Sequence, residues 1–92
     1  MTTARHDPVA RIDALLDDHA PLLPVPVRGP LRRAAGLTQK QVATRIGVQP
    51  LAVKRWEAGS TEPRPGERRT AYSRLLQGLA RRHPEVLAEP GS

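Results

Sequence analysis

The chain has 92 residues, enough for one small domain with a modest core and too few for an enzyme cleft between two lobes. Without cysteine it has no disulfide, thiolate nucleophile or cysteine-based zinc site, and with Trp56 and Tyr72 as its only aromatic residues the core must be aliphatic, which suits packed helices better than a sheet. Of the formal charge of +6, residues 1–27 carry a net −2, residues 28–59 a net +6 and residues 60–92 a net +2, so the middle of the chain is the part built for a polyanion.

From the N-terminus, Asp7-Pro8 reads as a cap followed by proline at the first helical position. Val9, Ile12, Leu15 and Leu16 then recur at helical spacing, predicting an amphipathic helix over about Pro8 to Asp18. Its outward face is acidic and is expected to turn away from a polyanionic partner. The neighbouring Asp17 and Asp18 point about 100° apart on a helix, so they read as a solvated end and not as a catalytic pair. Pro21, Pro24, Pro26 and Pro30 interrupt helical periodicity and predict an extended linker from His19 to Gly29, with Leu22, Leu23, Val25 and Val27 still able to lie on the core.

A short helix is expected from Pro30 to Ala35, ended by Gly36. Thr38 and Gln41 have the spacing of a capping box, and Val42, Ala43 and Ile46 form the apolar stripe of the next helix, which Gly47 stops. Pro50 fits the first turn of a further helix with Gln49 as its cap and Gly59 at its end. A loop with Pro63 and Pro65 runs from Ser60 to Gly66. A last helix over Glu67 to Arg82 is expected to bury Ala71, Tyr72, Leu75, Leu76 and Leu79, with Pro84 closing it. The domain reading is an N-terminal helix and proline-rich linker packed on the domain (1–27), a helix-turn-helix domain (28–83) and a flexible tail (84–92). The fold class is all-α, a small bundle of about five helices.

Two short helices joined by a turn containing glycine are the unit of helix-turn-helix proteins. Ala43, Gly47 and Val53, four and six residues apart, supply the small residue, the positive-φ turn and the buried aliphatic residue that this unit needs. The stretch from Leu31 to Ala43, with Gly47-Val48 and Trp56-Glu57-Ala58-Gly59, resembles the Cro and C1-type (Xre) repressor family over about residues 28–82. The resemblance implies a lambda-repressor-like fold and double-stranded DNA as partner, with the helix from Pro50 to Ala58 in the major groove. It also implies that Gln39 donates to a phosphate beside backbone N–H groups at its helix start, where Thr38 and Lys40 are expected phosphate neighbours. Arg32 and Glu57 are implied to form a partly buried structural ion pair between helices.

At 100° per residue, Val53 and Trp56 lie on one side of the Pro50 to Ala58 helix and Leu51, Arg55 and Ala58 on the other. Arg55 is therefore the candidate base reader, because a guanidinium bonds O6 and N7 of guanine together. Leu51 and Ala52 are placed to touch a thymine methyl, Gln49 either reads adenine or caps its helix, and Lys54 and Arg64 are expected to meet phosphates. Familiar family members often have polar residues where this chain has Pro50 and Leu51, which puts more weight on Arg55 and on DNA shape. Trp56 reads as a core anchor, since two aromatic residues do not make the stacking surface used for single strands.

His6, His19 and His83 are far apart and lack ligands at metal spacing, so no metal is expected, and nothing points to a cofactor or to an enzyme. No apolar run spans a bilayer and no signal peptide is evident, so the expected setting is cytoplasmic and nucleoid-associated, without a membrane partner. The function expected is sequence-specific binding of double-stranded DNA, as a transcriptional regulator or as the reading module of a larger replication, mobile-element or telomere protein. A weaker similarity to N-terminal modules of actinobacterial telomere-associated proteins points toward the last of these. A homodimer or tethering in a larger chain is expected to supply specificity. The competing reading is a protein-interaction module, antitoxin-like or regulator-binding, and the basic centre favours DNA over it.

Overall fold

The computed structural model describes residues 8, 9, 11, 12 and 20–88, and among these there are helices and no strand. In chain order the helices are α1 (Val25–Ala34), α2 (Gln39–Ile46), α3 (Pro50–Ala58), α4 (Glu67–Arg82) and α5 (Pro84–Ala88). Pro8, Val9, Arg11 and Ile12 are helical and exposed, while Leu15, Leu16 and the aspartates of the expected first helix lie outside the described residues.

The linker is shorter than its prolines suggest, because α1 begins at Val25 and not at Pro30. Pro24 stands at the N-cap and Pro26 within the first turn, where a missing N–H costs no hydrogen bond. Pro30 does break one intrahelical bond, the one that would reach the Pro26 carbonyl. That loss is outweighed by the residues on either side of it: Val27 and Leu31, one turn apart, are both buried in the core, and so is the side chain of Arg28. Tertiary packing overrides local propensity here. The stretch before α1 is strapped down by side chains, with Arg69 Nε donating to the Ala20 carbonyl at 2.8 Å and Ser73 Oγ to the Pro21 carbonyl at 2.7 Å.

Helix α2 begins as its sequence dictates. Thr38 accepts from the Gln41 N–H at 3.0 Å and the Gln41 side chain accepts from the Thr38 N–H at 2.8 Å, a complete capping box. Gly47 then takes φ 90° and Gly59 φ 77°, left-handed conformations that end α2 and α3 and turn the chain sharply. Gly59 also lies close to Val25: a Cβ there would meet both Val25 γ carbons at 3.3 Å.

The core is one cluster of Val27, Leu31, Val42, Ala43, Val53, Trp56, Tyr72, Leu76 and Leu79, drawn from α1 to α4. The Trp56 and Tyr72 rings pack tilted, with centroids 4.8 Å apart. Leu22, Leu23 and Leu75 pack against the cluster, as does Val86 of α5. Residues 84–88 are thus a short helix against the core and not a loose tail, and residues 89–92 lie outside the described set. Ala71, expected inside, is exposed because its place on α4 falls one residue off the buried line of Tyr72, Leu76 and Leu79.

Candidate nucleic-acid interface

Helices α2 and α3 are joined by only Gly47, Val48 and Gln49, and α3 anchors itself through buried Val53 and Trp56. That anchoring fixes which side of α3 faces out. Leu51, Lys54, Arg55 and Ala58 are exposed, as are Gln49 and Pro50 at its start. Ala52 is half-buried and belongs to the wall of a groove beside the helix. Gln49 occupies the N-cap position but makes no side-chain capping bond, so its amide faces outward.

The open groove, about 880 Å³, lies between α3 and the loop leading to α4. It brings Arg55 and Arg64 to one surface and adds Arg68, which the sequence reading did not single out, together with the acidic Glu62 and Glu67. Thr38 and Lys40 are exposed at the start of α2, where the N–H groups of the first turn present partial positive charge.

Gln39 does not stand free at that helix start. Its Nε2 donates to Glu57 Oε1 at 3.1 Å, and Glu57 also accepts from Arg32 Nε at 2.6 Å and Arg32 Nη2 at 3.2 Å. Arg32 donates its third bond to the Leu37 carbonyl at 2.8 Å. The expected Arg32–Glu57 pair is therefore present, mostly enclosed, and Glu57 also engages the side-chain amide of Gln39. Gln39 is thereby a positioned donor and not a mobile one.

A second ion pair was not foreseen. Arg28 is 4% exposed and donates to the carbonyls of Leu23 at 2.8 Å and Trp56 at 3.0 Å and to both oxygens of Glu62 at 2.8 and 3.2 Å. These bonds to Arg28 hold the Glu62 carboxyl below its usual pKa. Arg28 was counted with the basic centre of the chain, yet it is a structural cation inside the fold. Of the seven basic residues between 28 and 59, Arg33, Lys40, Arg45, Lys54 and Arg55 are the exposed ones.

Among the described residues no group of three acidic, histidine or cysteine side chains is placed to hold a metal ion, and no helix is long and apolar enough to cross a membrane. A short glycine turn, a helix anchored by an aliphatic and an aromatic residue, and a basic outer face together make a recognisable unit, and residues 31–67 match the helix-turn-helix family. Over that segment, which is less than half of the chain, the sequence is similar to that family. Neither a curated protein nor a solved structure matches the chain. A helix-turn-helix of this type is a DNA-binding domain, most often of transcription regulation and generally without enzymatic activity. In it α2 and α3 are the two motif helices, and the groove beside α3 is bounded by the segment that follows them.

Proposed function

We propose that the chain binds double-stranded DNA sequence-specifically by laying α3 in the major groove, as a transcriptional regulator or as the DNA-reading module of a larger protein. The observation that carries this reading is the position of Arg55. It stands exposed on α3, opposite buried Val53 and Trp56, on the rim of a groove shared with exposed Arg64. In that role Arg55 reads guanine, with Gln49, Leu51 and Ala52 as its neighbours at the base edges. Thr38, Gln39, Lys40, Lys54 and Arg64 hold phosphates on either side, the first three through the start of α2.

The test is equilibrium binding of wild type and Arg55→Ala to a preferred duplex, selected from a randomised pool, and to a scrambled one. Losing a bidentate guanine contact should cost ~1 to 3 kcal/mol on the preferred duplex and little on the scrambled one. A normally folded Arg55→Ala whose ratio of preferred to scrambled binding equals that of wild type would remove base reading from α3.

A further inference from the structure

The groove beside α3 is not the most cationic surface of the molecule, because its walls set Arg55, Arg64 and Arg68 against Glu62 and Glu67. An open groove of about 450 Å³ between α2 and α4 is lined by Lys40 and Arg45, and another of about 320 Å³ on α4 by Arg74, Arg81 and Arg82. Leu75 lines both, so the two adjoin, and neither has a carboxylate in its wall. Glu85 of α5, the next carboxylate after these arginines in the sequence, lies 3.4 Å from His83 Nδ1. All five cations are exposed, and among the described residues none of them forms an ion pair.

Helix chemistry does not account for this set. The dipoles of α2 and α4 favour Arg45, Arg81 and Arg82 in the last turns, but Lys40 stands in the first turn of α2, where a cation is unfavourable, and Arg74 in the middle of α4. Like charges gathered on one surface repel one another, and a bound polyanion relieves that repulsion. Distance along α4 separates this face from the first. Arg68 is on the wall of the α3 groove at the start of α4, and Arg82 lies about 20 Å farther along the helix axis. The major groove proposed for α3 is only about 12 Å wide. We infer that Arg45, Arg74, Arg81 and Arg82 bind the phosphate backbone of a second DNA duplex, so that one chain bridges two duplexes. The first is read by α3 and the second is held by charge, because guanidinium groups on phosphate oxygens carry no base information. Lys40, at the edge of this face, stays with the phosphates proposed for the start of α2.

The experiment fixes the preferred duplex to beads, loads the whole chain, and measures capture of a labelled duplex of unrelated sequence over a salt series. Sedimentation gives the composition of the complex. Wild type should form complexes of one chain with two duplexes, and four cations on the second should give a slope of log K against log salt of about −3 to −4. The triple variant Arg74→Gln, Arg81→Gln, Arg82→Gln should capture at least about tenfold less while holding the bead-bound duplex as tightly as wild type. Because the three side chains are exposed, its melting temperature should match that of wild type. Arg45→Gln, on the other helix, should lower capture in the same direction, and Arg33→Gln, which removes an exposed cation of α1, should leave it unchanged. Four outcomes overturn bridging by this face. They are no capture by wild type, a triple variant that captures as wild type does, complexes of two chains with two duplexes, and binding of poly-glutamate without capture. Wild-type affinity that instead grows with the length of a single duplex, without capture, also overturns it, by assigning the face to flanking phosphates. If no duplex is preferred over another, base reading by α3 falls, whereas two-duplex complexes lost in the triple variant still support the second surface.

Discussion

Tyr72 is the only tyrosine, it is 1% exposed, and its hydroxyl is a buried polar group without a hydrogen-bond partner among the described residues. Burial first, and then the charge of Glu57, pushes its pKa up to about 12 from the ordinary 10.0. The folded state therefore favours the neutral phenol. Its contribution is fully present below pH 10 and is lost as pH rises from 10 through 12, by roughly 3 kcal/mol for a shift of this size. Tyr72→Phe should leave stability at neutral pH unchanged or raised, since it removes an orphaned hydroxyl, and should flatten the loss between pH 10 and 12. Denaturant unfolding of both proteins across that range, with the phenolate absorbance of wild type as a second readout, would refute this if the two declined in parallel. The Glu62 carboxyl works in the opposite sense, its lowered pKa adding stability above the usual carboxylate range that disappears on acidification. Of these polar groups only the Arg32–Glu57 pair was legible in the sequence, through the family resemblance. Nothing in the order of residues separates Arg28 from Arg32 and Arg33, because which of them turns inward depends on where α1 begins.

That starting point is where local rules failed at the level of elements. Helices α2 and α3 announce their ends by chemistry confined to a few residues: the Thr38–Gln41 box, Pro50 at a first turn, and glycines 47 and 59 just past their helices. Helix α1 carries two prolines of its own and is held by contacts from α3, α4 and the loop between them, which no window of sequence contains. The same is true of α5, five residues whose helical state rests on Val86 meeting the core. The two terminal glycines also differ in a way that only packing reveals. Gly47 takes φ 90° with open space where a Cβ would stand, whereas Gly59 takes φ 77° with Val25 already there. An alanine at either position suffers the left-handed backbone cost of about 1–2 kcal/mol. Gly59→Ala should add about 1 kcal/mol more, because Val25 and the start of α1 must yield. Thermal melts of the two variants should rank Gly59→Ala as the less stable, and equal losses would show that α1 gives way freely.

Across the whole molecule the number of basic residues overstates what a polyanion would meet, since the enclosed Arg28 and Arg32 are paired with Glu62 and Glu57, although the net charge is the same without these pairs. Six exposed cations are arranged around α2 and α3, with Lys40, Arg45, Lys54 and Arg55 on the motif helices and Arg64 and Arg68 across the groove, while Arg33 on α1 and Arg74, Arg81 and Arg82 on α4 are exposed elsewhere. If about five of these cations neutralise phosphates, log K should fall against log salt with a slope of about −4 to −5. Each variant then has its own signature. Arg64→Ala should weaken preferred and scrambled duplexes alike and make the slope shallower by about one, because it removes a released counterion and no base contact. On the proposed phosphate contact, Gln39→Ala should also weaken all sequences alike but leave the slope unchanged, because its amide, held by Glu57, carries no charge. Glu57 retains Arg32 when Gln39 is lost, so the fold should persist and the melting temperature should stay close to that of wild type. Titration of the three proteins over a salt series on both duplexes yields every slope and ratio at once. A wild-type slope near zero would end the electrostatic account. An Arg64→Ala slope equal to that of wild type would move the phosphate contact off the loop between α3 and α4.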